Sequence, residues 1–234
     1  MKQQNLAGKI LRFTAVVLLG LTASFHLLGG IGTSCVALFA ERWDSMAALA
    51  PYKWLYLIFV LVTVAVSIFS IQATVWFAKG KGGAYRYAVL ILIVDLFVTA
   101  AHVVASKALR GSAAPANVRL YLNIFTLAYF LVIGSPRLLP SRPLGDHPGR
   151  SGGTSLGPAF IIMGLALLTV QWWAGPTHTW ADGINYADVW HGQLMAAGWV
   201  LVTVGGVIGL RKSIKVTLAG LQEDVDRRFK PDVS

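Results

Sequence analysis

Two histidines, His26 and His102, lie inside hydrophobic segments, where an ionisable ring is costly and usually functional. His26 follows Arg12 by 14 residues and His102 follows Arg86 by 16. At the helical rise these offsets are about 21 and 24 Å, so both rings are expected at one depth, in the outer third of a hydrocarbon core about 30 Å thick. Small residues surround them: Gly29, Gly30 and Gly32 after His26, and Ala100, Ala101 and Ala105 around His102. Two imidazoles on different helices, with room for a flat ring, are what a b-type haem requires. One such imidazole donating to a carbonyl would serve a quinone. The plain alternative is that each histidine hydrogen-bonds a neighbouring helix and the glycines serve close packing.

Asp95 is the one carboxylate inside a hydrophobic segment, about 13 Å from the inner edge by the same rise. Asp95, Thr99, His102 and Ser106 are spaced four, three and four apart, which puts them on one helix face. Two turns, about 10 Å, separate Asp95 from His102, too far for contact without a bridging hydroxyl or water. That face reads either as a proton path running from mid-membrane toward the outer side or as a clamp between helices, with Gln72 or a hydroxyl as the partner of Asp95. Asn123, Thr126 and Tyr129 form a polar side of another segment, with Asn123 near the level of the histidines.

Asp188 and His191 stand three apart, and His178 and Asp182 four apart, spacings that allow a weak zinc or copper site in an outer loop. The run Phe25 to Leu38 is rich in glycine but has neither the lysine of a phosphate loop nor a preceding strand, so nucleotide binding is excluded. A single cysteine, Cys35, excludes an internal disulfide and a cysteine metal cluster. The sequence contains no visible constellation for nucleophilic or hydrolytic catalysis, and whether the chain is an enzyme is left open.

The elements that must position these residues follow from composition. The chain is 56% hydrophobic and 13% charged, with mean hydropathy +0.63, against about 25% charged in a soluble domain. It reads as an all-α polytopic membrane protein with six transmembrane helices, at 11–38, 54–78, 87–107, 120–136, 158–174 and 192–210. The N-terminal apolar run is longer than that of a signal peptide and is read as the first span. Short loops make the first four spans, 1–136, a four-helix bundle. The proline- and glycine-rich stretch 137–157 is a cytoplasmic linker, and 158–210 a two-helix unit. Ile214, Leu218, Leu221, Val225 and Phe229 share one face of a C-terminal amphipathic helix within 211–234, for the membrane surface or a partner subunit. Gly30 with Ser34, and Gly205 with Gly209, are small-residue pairs for close helix contact. Trp172, Trp173, Trp180 and Trp190 fit an interfacial aromatic belt. The loop 41–53 has room for a short helix ending before Pro51.

With both termini inside, 15 of the 20 basic residues are cytoplasmic; Arg42, Lys53, Lys107, Arg110 and Arg119 are outside. The net charge of +10 is therefore mostly topology, and no basic, aromatic-interleaved face points to nucleic acid. The expected setting is a lipid bilayer, most simply the bacterial cytoplasmic membrane, with other membrane subunits as partners. Three functions fit. The first is a subunit of a respiratory or photosynthetic electron-transfer complex contacting quinone, b-type haem or both. The second is a proton-coupled carrier of a small solute or ion using Asp95. The third is a scaffold subunit without a site.

Overall fold

The computed structural model describes residues 6–135, 156–174 and 183–229. Among these the protein is helical throughout. Helix α1 spans Leu6–Phe39, α2 Lys53–Lys79, α3 Ala84–Arg110 and α4 Ala116–Gly134; α5 spans Leu156–Leu168, α6 Val170–Ala174, α7 Tyr186–Val189 and α8 His191–Phe229. Five helices are long and apolar enough to cross a membrane: α1 to α4 and the part of α8 up to Leu210. The segment expected as one span at 158–174 is instead two helices parted at Thr169, whose hydroxyl donates to the carbonyls of Leu165, at 2.9 Å, and Ala166, at 3.2 Å. The linker 137–157 lies outside the described residues except for its last two, which open α5. The tail, by contrast, is an unbroken continuation of α8.

Helices α1 to α4 form an antiparallel unit, and glycine supplies its tight turns. Gly80 ends α2 at φ 66°, its N–H reaching back to the carbonyls of Phe77 and Trp76, and Gly111 ends α3 at φ 74°. The connection from α1 to α2 is two stretches of 3-10 helix, Ala40–Arg42 and Asp44–Tyr52. The second runs through Pro51 rather than stopping before it, because Trp43, Met46 and Leu49 are buried over the end of the bundle and hold the segment down.

The interior of this unit is layered. At one end Leu19, Phe77, Leu92 and Phe130 lie in an apolar core. At the other, Ala37, Trp43, Leu49 and Tyr56 form a second. Between them the buried side chains are polar: His26, Ser67, Asp95, Thr99, His102, Arg119, Asn123 and Thr126. The outside is apolar, with Leu61, Phe97, Val104 and Phe125 all more than half exposed. Polar groups inside and apolar groups outside belong in a lipid bilayer.

Helix α5 packs against α8 by a different principle. A β-carbon at Gly157 would lie 2.7 Å from the Gly205 carbonyl oxygen, and one at Gly164 would lie 2.6 Å from that of Gly198. The pairs 157 with 205 and 164 with 198 make the crossing antiparallel. Backbone meets backbone, which only glycine permits. Both members of the expected small-residue pair are at this crossing: Gly205, and Gly209, whose backbone nitrogen would lie 3.2 Å from a β-carbon at Gly157 although its own β-carbon would face open space. Gly30 abuts Thr63 and Val64 of α2, and Gly20 abuts Ala159, which joins α5 to α1.

Candidate functional site

The polar layer resolves into tiers. In the deepest, Nδ1 of His26 on α1 lies 2.7 Å from Oδ1 of Asp95 on α3, with both side chains at 1% exposure or less. The distance is that of an ion pair, although its angle falls outside that of a hydrogen bond, and Nε2 of His26 has no partner among the described residues. The other carboxylate oxygen, Oδ2, accepts from Nδ2 of Asn123 on α4 at 2.7 Å. Thr99 donates to Oδ1 at 3.5 Å. Three helices thus meet on one carboxylate. Its partners are His26 and Asn123, and Gln72 is engaged elsewhere, accepting from the Tyr87 hydroxyl at 2.8 Å.

In the next tier Nη2 of Arg119 on α4 donates to Nδ1 of His102 on α3 at 2.8 Å. Arginine carries only donors, so this nitrogen is an acceptor and His102 keeps its proton on Nε2. The ring is stacked on Phe59, centroids 4.6 Å apart and planes 9° from parallel, and meets Tyr56 edge-on at 5.4 Å. The Tyr56 and Ser106 hydroxyls are 2.8 Å apart one turn further on. On the opposite side of the Asp95 tier the hydroxyls of Thr22 and Thr126 are 2.8 Å apart.

The two histidines are therefore not at one depth. His26 is level with Asp95, and His102 is seven residues further along α3, about 10 Å away. The expectation of equal depth used Arg12 as an interfacial mark, whereas Arg12 is 7% exposed and donates to the Phe77 carbonyl at 3.1 Å within the packed bundle. The space expected beside Gly29 is filled as well. A β-carbon there would overlap Cδ of Arg119 and lie 2.7 Å from its Nε. One haem iron must bond both imidazoles within a few ångströms of each other. Two rings on separate tiers, with a guanidinium between Gly29 and His102, do not fit that group.

Arg119 was counted with the outer loop on sequence and is instead a buried member of the site, at 5% exposure. The signal was present: 119, 123, 126 and 130 are spaced four, three and four apart, one face of α4. Its position also alters the proton route expected from Asp95 past His102. A fixed positive charge lies on that side of the carboxylate and opposes passage of a proton.

Of the residues expected to form a weak metal site, Asp188 accepts from Nε2 of Gln171 at 2.9 Å, and His191 opens α8. His178 and Asp182 lie outside the described residues, and no group of three metal-ligating side chains occurs among the described ones. Trp172 and Trp190 are exposed, at 83% and 54%.

The facing carboxylate favours the tautomer of His26 with its proton on Nδ1, which leaves the Nε2 lone pair open. That lone pair and the carboxylate are two adjacent acceptors that can take up one further proton. The chain matches no family model, no curated protein and no solved structure.

Proposed function

We propose that this protein transfers protons across the membrane, with the Asp95–His26 pair as the group that takes up and releases them. The observation that carries this reading is the 2.7 Å approach of His26 Nδ1 to a buried carboxylate, with neither imidazole nitrogen in a hydrogen bond among the described residues. A clamp would be complete with every polar atom paired; here an acceptor site stays open in the middle of the bundle. Arg119 lies on the His102 side, so exchange on the other side, toward Thr22 and Thr126, is the electrostatically easier direction. Proton transfer coupled to a solute or ion is the carrier reading of the sequence. The quinone reading keeps one supporting observation, the same open His26 Nε2, which offers a hydrogen-bonding position to a quinone head group.

We also propose that 156–174 crosses the membrane as a sixth, broken span. It would measure about 28 Å at helical rise, and α5 runs antiparallel to the spanning part of α8. With six crossings both termini lie on one side, and the excess of basic residues makes that side the cytoplasm.

The test is proton uptake by vesicles holding the purified chain and an entrapped pH dye, driven by an inside-negative potential. Wild-type vesicles should acidify faster than empty ones, and Asp95→Asn should return the rate to that of empty vesicles. Equal rates in empty, wild-type and Asp95→Asn vesicles would remove the proposal.

A further inference from the structure

The His102 end of the polar layer carries more positive charge than topology calls for. From Lys107 to Arg119 the chain has three bases and no acid, at the end of the bundle where the charge bias favours few bases. Two of the three belong to the bundle. Arg119 is 5% exposed and donates to the lone pair of His102 Nδ1. Arg110 is half-buried and ends the face of α3 that carries His102 and Ser106, at spacings of four and four. Its Nη2 donates to the Ala114 carbonyl, while its Nε is buried with no partner among the described residues. Its charge acts on both His102 and the Tyr56 hydroxyl, so the two guanidiniums flank one set of groups, His102, Tyr56 and Ser106. Among the described residues neither arginine is in an ion pair, and the oxygens of Asp95 in the next tier face His26 and Asn123.

We propose that Arg119 and Arg110 bind a small carboxylate anion, the solute that travels with the proton. This rests on the proton reading of the Asp95–His26 pair and adds the chemical class of the solute. Three features select a carboxylate. A buried guanidinium is costly until an anion meets it, and one imidazole nitrogen is a single neutral acceptor against a fork of N–H donors. That planar fork matches the two oxygens of a carboxylate, and the hydroxyls of Tyr56 and Ser106 supply neutral donors beside it. The tier is nearly closed, with Tyr56 at 1% and Ser106 at 2% exposure, which suits a small soluble ion rather than a lipid headgroup held at the surface. Arg110, the half-buried member, is the point of entry. Binding also supplies the coupling. Arg119 is the charge that opposes a proton on the His102 side, and an anion laid against it lifts that barrier, so a proton can follow to Asp95 and His26.

The purified full chain is titrated with sodium pyruvate by calorimetry at fixed ionic strength, with chloride and phosphate as comparison anions. Pyruvate should bind saturably and the other two should not. Arg119→Gln should weaken that binding at least about tenfold, and Arg110→Gln, which alters only a half-buried side chain, by a similar factor, as loss of a charge-assisted hydrogen bond does. In vesicles, external pyruvate stays ionised and so does not cross lipid as the free acid; it should speed Asp95-dependent proton uptake in the wild type and not in Arg110→Gln. Absence of saturable pyruvate binding, equal binding of chloride or phosphate, or binding unchanged in both variants would overturn the carboxylate site. Pyruvate binding without any effect on uptake would overturn its coupling to the proton. Pyruvate binding beside uptake that does not depend on Asp95 would leave the carboxylate site standing and end the proton reading instead.

Discussion

Two parts of this molecule hold helices together in lipid by opposite means. Helices α1 to α4 are joined through side chains: one carboxylate gathers α1, α3 and α4, and one guanidinium ties α4 to α3 across a glycine of α1. Helices α5 and α8 are joined through the absence of side chains, glycine against backbone at two levels. Between helices in lipid there is no hydrophobic gain to be had, so close packing and hydrogen bonds are what remain, and each part uses mainly one. The glycine contact carries no titratable group and can only fix distance. The polar layer fixes distance and also stores charge, which is why the chemistry belongs there.

The contrast can be broken at four places. Asp95→Ala should have the largest effect, because it strips His26 and Asn123 of their partner and leaves Arg119 without a nearby anion. Loss of one member of a buried charged pair costs about 3–5 kcal/mol, read as a shift in unfolding of the purified protein by sodium dodecyl sulfate. A cysteine pair bridging α5 and α8 should still form in that variant. Gly29→Ala comes next. Its methyl group would displace the Arg119 side chain from His102, a charged hydrogen bond worth about 1.5–3 kcal/mol, and quenching of a label placed beside Phe59 should change accordingly.

Gly164→Ala tests the other part. The added β-carbon would lie 2.6 Å from the Gly198 oxygen and 2.9 Å from the Val202 nitrogen, backbone atoms that cannot swing away. Overpacking of this kind costs about 1–3 kcal/mol, and it should lower the efficiency of the α5–α8 cysteine pair while leaving Asp95-dependent proton uptake intact. Thr99→Val should be the mildest. Its hydroxyl is 3.5 Å from Asp95, at the limit of a hydrogen bond, and such bonds in membranes average about 0.6 kcal/mol. A loss in Thr99→Val as large as that in Asp95→Ala would mean that the carboxylate depends on the hydroxyl rather than on His26 and Asn123.

The spans of α2, α3 and α4 were legible because long apolar runs are bounded by charge, and the polar face of α3 because its four residues keep helical spacing. All four are buried, from Asp95 at 0% to His102 at 4%. The pairing of His26 with Asp95 was not legible. It depends on how far α1 slides along α3, and that is set by contacts such as Gly30 on Thr63 and Thr22 on Thr126 that no single helix reveals. Arg119 was misplaced because a charge at the head of an apolar run reads as loop, whereas here the glycine facing it leaves a slot for the arginine. The break at Thr169 was not legible, because the same hydroxyl contact four residues back occurs at Thr22, Thr33 and Ser67 inside unbroken helices.

The central claim is that the Asp95–His26 pair exchanges a proton. It is tested most directly by proton uptake into vesicles holding His26→Gln, run beside wild-type and Asp95→Asn vesicles. Both variants should acidify no faster than empty vesicles, because removing either partner breaks the pair. Uptake in His26→Gln at the wild-type rate would contradict it.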